Sequence, residues 1–200
     1  MTVGRKRRFD KEDVLRKAMM LFWRNGYTGT SISDLTSAMN INKPSLYLAF
    51  GNKEQLFNQA IKFYLHEHGQ YHASHLFLGG LTTKEKIRNY LISIATMVTD
   101  HDLPKGCFVS LTTAELVGDY IPESSSHLIE TINQQTKISL EEFFKNEQKD
   151  SLKLKGLSPE VLASYIITLQ FGLAIAGRNG MALAELTAVI EVSISHLNLG

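Results

Sequence analysis

Two hundred residues, 44% of them hydrophobic, suffice for one domain or two small ones with a buried core that needs no covalent staple. The single cysteine, Cys107, excludes an internal disulfide and suits a reducing compartment, so a cytoplasmic protein is expected. The net charge of +1 conceals a segregation: residues 1–60 hold ten Lys and Arg against five Asp and Glu, whereas 61–200 hold eleven against fifteen, which points to a polyanionic partner for the head alone.

The basic start, MTVGRKRRFD, runs into a charged amphipathic segment and not into the apolar stretch of a secretory signal. Arg5–Arg8 reads either as a solvated tail or as an arm that orders on phosphates or in a minor groove. Val14, Leu15, Ala18, Leu21 and Phe22 then fall at helical spacing, which predicts a helix over about 11–25. Asp10 is its expected cap, Asp13 completes a capping box, and Gly26 suits the position after the last turn. Ser31 with Asp34 announces a second, short helix whose apolar face is Ile32, Leu35, Ala38 and Met39. After a turn at 40–42, Asn42 caps a third helix over about 43–49, where Pro44 is tolerated in the first turn. Gly51 ends it. Asn52 and Gln55 cap a fourth helix that carries Leu56, Phe57, Ala60 and Ile61 inward and continues to about 68 or beyond.

Two short helices joined by a tight turn and braced by a longer one form a helix-turn-helix. A seven-residue helix is too short to be stable alone, so its neighbours must hold it, which leaves its outer face free for a major groove. Further helices are expected over about 84–99, 107–117, 123–148, 158–176 and 182–197, so the chain reads as all-α. The most apolar span, 161–177, is interrupted by Ser164, Tyr165, Thr168 and Gln170 and falls short of the ~18 to 20 residues that cross a bilayer, so no membrane span is expected.

Leu21-Phe22-Trp23, Gly26-Tyr27, Thr30-Ser31-Ile32, Leu35, Pro44-Ser45-Leu46-Tyr47, Phe50, Lys53-Glu54 and Leu56-Phe57 together resemble the TetR-type transcriptional regulators over about 9–65. Beyond about residue 70 the resemblance is one of layout. It implies a helix-turn-helix DNA-binding domain over 1–52 and a helical effector-binding and dimerisation domain over 53–200. Carried over by position, it implies that Thr30, Ser31, Tyr47 and Lys53 hold phosphates of an operator duplex. Lys43, Pro44 and Ser45 would face base edges. Hydroxyls, helix N-termini and lysines are the groups that fix a protein on a phosphate backbone, lysine can read guanine, and a proline ring can pack on a thymine methyl. Where the family often has Tyr-His, this chain has Leu48-Ala49, and neither is counted as a DNA contact.

The family's last two helices form a four-helix dimer interface, which places a homodimer contact at about 159–177 and 182–197, where Ala163, Ser164, Gly172, Ala174 and Ala176 permit close approach. Ordinary intrachain core is the competing reading of the same apolar pattern. The middle helices are expected to enclose a small-molecule effector among Phe63, His66, Met97, Cys107, Phe108, Leu111, Glu115 and Phe171. Gly106-Cys107 resembles a subset of the family that senses electrophiles or oxidants; free cysteine is also commonly buried and inert. His68, His72 and His75 share a helical face at metal-site spacing, but no fourth ligand is evident, so neither a metal nor a cofactor is expected. No acid–base pair, phosphate-cradling loop or nucleophile motif marks an enzyme, and a purely protein-binding adaptor leaves the charge segregation unexplained. A repressor released from DNA by its effector is the reading the resemblance implies.

Overall fold

Residues 9–118, 120–150 and 157–197 are described by the computed structural model, and among them there is no strand. The basic arm, 1–8, lies outside the described residues. Helix α1, Lys11–Asn25, starts where expected, but its cap differs: Asp10 accepts from the Glu12 backbone N–H at 2.9 Å, and Asp13 pairs with Lys17 at 2.7 Å instead of closing a box. Helix α2, Ile32–Met39, has the full Ser31–Asp34 capping box, at 3.1 and 2.8 Å. Helix α3, Lys43–Phe50, is capped by Asn42, whose Oδ1 accepts from Ser45 N–H at 2.8 Å. Gly51 then turns the chain at a φ of 81°, a region that side chains other than glycine resist. The Asn52–Gln55 box opens α4, Lys53–Tyr64, at 2.8 and 3.1 Å.

The fourth helix does pass Gly69, through a five-residue π turn over Leu65–Gly69 that leads into α5, Gln70–Ser74, and a 3₁₀ turn at His75–Phe77. A π turn inserts a residue into the helical repeat and rotates the helix beyond it. His68, His72 and His75 therefore do not converge as an unbroken α-helix would place them. His68 packs against Trp23 and Tyr64, His72 is buried, and His75 stacks on Tyr71. Among the described residues, the group of three or more potential metal ligands that does converge is Asp100, His101 and Asp102, on the surface.

The body adds α6, Thr83–Thr99; α7, Phe108–Glu115; α8, Glu123–Asp150; α9, Pro159–Arg178; and α10, Leu183–Ser195. Helix α4 packs on α1, while α6 sits against α9 and α10, and α8 against α9. One continuous apolar core joins head and body, and Trp23, Phe57, Tyr64 and Phe108 form its aromatic centre. At Gly177 α9 comes so close to α6 that a Cβ would stand 3.0 Å from the Val98 carbonyl.

Helix α9 spans 20 residues and holds an 18-residue stretch with a mean hydropathy of 1.5, so by length and composition it does satisfy the requirement for crossing a bilayer, contrary to the 161–177 reading. Its surroundings fit a bundle helix: Leu162, Ala163, Ile166, Leu173, Ala174 and Gly177 are buried against the chain. The other side exposes Val161, Tyr165 and Ile175, with open space at Gly172, and α10 continues that apolar face through Val189 and Val192. The small residues thus divide, Ala163 and Ala174 serving the intrachain core while Ser164 and Gly172 face outward.

Candidate nucleic-acid interface and effector cavity

The capped N-termini of α2, α3 and α4 carry the residues expected to meet DNA. Helix N-termini attract anions because their first N–H groups lack intrahelical partners. Ser31, Lys43, Pro44 and Tyr47 are exposed, and Ser45 and Lys53 are half-buried. The Lys53 ammonium lies 4.1 Å from the centre of the Tyr27 ring, and burial holds its pKa below the usual lysine value. Lys43 lies 5.9 Å from the centre of the Tyr47 ring. Thr30 is a correction. Its side chain is fully buried and its hydroxyl donates to the Gly26 carbonyl at 2.8 Å, so it closes the turn after α1 instead of facing solvent. Leu48, left out of the expected contacts, is 83% exposed on the same helix as Lys43 and Pro44.

Behind the head, α4 with its π turn, α5, α6, the start of α7, α8 and α9 line a half-open cavity of about 450 Å³, within the range of small-molecule sites. Three of the eight expected residues, Met97, Cys107 and Phe171, line it. The other five stand elsewhere, because their helices turn them away. Phe63 lies under the Arg16 guanidinium at 4.9 Å, and His66 is exposed beside Glu67. Phe108 belongs to the aromatic centre, and Leu111 packs near Gly106. Glu115 reaches the joint with the head, where a Cβ on Gly26 would collide with its Oε1; burial raises its pKa, and a bond from the Tyr27 backbone opposes this.

The wall is apolar and aromatic with embedded neutral polar groups, among them Tyr64, His72, Ser110, Asn133 and Gln170, and among the described residues that line it there is no Lys, Arg, Asp or Glu. The Tyr64 hydroxyl is 3.2 Å from Cys107 Sγ and 3.6 Å from Met97 Sδ, and burial raises its pKa strongly. Gln170 donates to the Tyr90 hydroxyl at 2.7 Å. His72 places Nδ1 2.9 Å from Ser93 Oγ and Nε2 3.2 Å from Met97 Sδ, while Ser93 Oγ also lies 2.7 Å from the Tyr90 carbonyl. If Ser93 donates to that carbonyl, Nδ1–H donates to Ser93; if Ser93 donates to Nδ1, Nε2–H faces the sulfur. Both arrangements carry one ring proton, and burial holds the His72 pKa down to about 4. Gln135, Thr136 and Ser139 complete the polar set from α8. The α8 and α9 contributions escaped sequence reasoning, since helical spacing marks a buried face without saying which part of that face borders empty space.

Three contacts tie the cavity's surroundings to α1. Trp23 Nε1 donates to the Gly106 carbonyl at 3.2 Å, next to Cys107. Arg178, at the end of α9, donates to the Arg24 carbonyl at 2.8 Å and the Lys105 carbonyl at 3.3 Å. Tyr64, on the cavity wall, stacks edge-on against Trp23 at 4.9 Å.

Residues 14–60 match the family described as bacterial regulatory proteins, tetR family. The chain is 28% identical over 191 residues to the HTH-type transcriptional repressor ComR of Escherichia coli (strain K12), covering 96% of this chain and 90% of ComR. A shorter stretch of 62 residues, 31% of this chain and 32% of the relative, is 40% identical to the HTH-type transcriptional repressor BdcR of the same strain. Among solved structures, a cysteine-substituted form of the TetR family transcriptional regulator CifR, complexed with 26-base-pair double-strand operator DNA, shares 32% identity and a TM-score of 0.88, with 96% of this chain and 99% of that one covered. With that identity over nearly the full length of both chains, and a head built on the same pattern, the protein belongs to the TetR family, whose members are transcriptional regulators and not enzymes.

Proposed function

We propose that the protein is a cytoplasmic, homodimeric repressor that holds a double-stranded operator and is released from it by a small uncharged effector. Residues 1–52 are the reading unit and 53–200 the effector-binding and dimerisation unit. The observation that carries the reading is the juxtaposition of a solvent-facing helix-turn-helix with a charge-free cavity whose wall is tied to α1. Ser31, Tyr47 and Lys53 hold phosphates, and Lys43, Pro44 and Ser45 face base edges.

The exposed apolar face of α9 and α10 supplies the second protomer's contact. Two copies pair it into four helices and set two heads at the spacing of successive major grooves. A ligand in the cavity presses on Tyr64 and on Cys107, Val109 and Ser110 at the start of α7. Both elements lead to α1, through Trp23 and through Glu115 at Gly26. Release follows if the ligand binds the arrangement with misplaced heads more tightly, since only differential affinity shifts an equilibrium. The effector is uncharged because an unpaired ion in this wall would lose its hydration with no countercharge in return, a cost of several kcal/mol.

Val192→Glu, at an exposed position on α10, tests dimer and function together. The variant should sediment as a folded monomer and bind the duplex from upstream of its own gene at least about tenfold more weakly, since one head replaces two. A wild type that sediments as a monomer, or a variant that remains a dimer, overturns the α9–α10 contact, and a monomeric variant with undiminished operator affinity overturns the need for two heads.

A further inference from the structure

Helix α3 has a packed side and a free side. Leu46 and Phe50 are 0% and 3% exposed, whereas Leu48 is 83% exposed. At 100° per residue Leu48 stands about 160° from both buried residues and one turn beyond Pro44, so the two apolar groups form one ridge along the free side. The helix gains nothing from leucine there, because Lys, Glu or Gln has similar helix propensity and meets water without cost. Lys43 and Tyr47 stand on α3 itself, and the starts of α2 and α4 carry Ser31 and Lys53 together with the acidic Asp34 and Glu54. An apolar ridge on the free side of a helix that opens with a lysine and has no acidic residue in its first turn fits a surface that is anionic at its edges and apolar at its floor.

The major groove offers one apolar group on its floor, the 5-methyl of thymine; the other base edges present hydrogen-bond donors and acceptors. We propose that Leu48, together with Pro44, is a specificity-determining residue that packs on thymine methyl groups, so that each operator half-site places thymine beneath α3. The inference rests on the operator reading above. It works by attraction and by exclusion: thymine covers the isobutyl group, whereas guanine, cytosine or adenine edges lose water beneath it and find no partner. The chain's departure from the Tyr-His pattern thus becomes a change of base preference.

The test uses the full-length protein and the duplex from upstream of its own gene, with the half-site located by footprinting. Thymines are replaced one at a time by uracil, which removes the methyl group and nothing else. Wild-type protein should lose about fourfold in affinity at one thymine of a half-site, the worth of one buried methyl group. Leu48→Ala, which alters no buried contact and should melt at the wild-type temperature, should lose most of that discrimination at the same thymine, keeping only what Pro44 contributes. A uracil profile that is flat for wild type, or the same for wild type and Leu48→Ala, overturns the inference and leaves the operator reading standing. A wild-type protein that selects no duplex over a scrambled one overturns both.

Discussion

His72 shows how much a single side chain in this cavity is set by its surroundings. Burial first, and then the positive charges of His68 and His75, hold its pKa to about 4 against an ordinary 6.5. The unfolded ring takes up a proton between those values that the folded ring refuses. Stability from this group is therefore complete above pH 6.5 and is lost as the pH falls from 6.5 through about 4, with roughly 2 kcal/mol gone between pH 7 and pH 5. Urea denaturation of wild type and His72→Gln at those two pH values checks this: the variant should decline less, by about that amount, and parallel declines would contradict it. The histidine run was visible in the sequence, but its burial was not. Thr30 misled for a similar reason. A hydroxyl just before a helix start has the right chemistry for a phosphate, and only the path of the chain from Gly26 to Thr30 turns it inward.

The helices were legible because their ends are written in local chemistry. Ser31–Asp34, Asn42, Asn52–Gln55 and Ser158–Pro159 are caps whose side-chain bonds are made within three residues, so no tertiary knowledge is needed to read them. Helix α3 leans on its cap, since eight residues give it few internal bonds. Asn42→Ala should cost about 1 kcal/mol in urea denaturation and weaken operator binding as the first turn frays; no change in either would show that the cap is redundant. The π turn at Leu65–Gly69 was not legible. It depends on how α4 must pass from the head to the cavity, and it decides which histidine enters the wall. The same limit explains why five of the eight expected cavity residues fall elsewhere: a short helix such as α7 has apolar residues on several sides, and packing alone assigns Val109 and Ser110 to the cavity and Phe108 to the aromatic centre.

The assembled chain separates a helix-turn-helix surface that carries Lys43 and Lys53 from a cavity whose described wall carries no Lys, Arg, Asp or Glu. That contrast predicts which ligands enter. N-phenyl-1-naphthylamine is uncharged, and 1-anilinonaphthalene-8-sulfonate shares its ring skeleton but carries a sulfonate. The neutral probe should bind with rising fluorescence and be displaced by filling the cavity with Ile94→Trp, while the sulfonate should bind at least about tenfold more weakly, since nothing in the wall pairs with its charge. Equal affinity for the two would contradict a charge-free site. The route by which occupancy would act on DNA under the proposed function runs from the wall to α1 through Tyr64, Trp23 and the α7 joint.

Operator recognition itself is tested most directly by fluorescence anisotropy of a labelled duplex from upstream of the protein's own gene, titrated beside a scrambled duplex from about 50 to about 200 mM salt. The expected result is a clear preference for the gene's own duplex, with log affinity falling linearly against log salt as phosphate contacts release counterions, and a slope reduced by about one when Lys53→Ala removes a contact. Equal affinity for the two duplexes at the lowest salt would contradict a sequence-specific repressor.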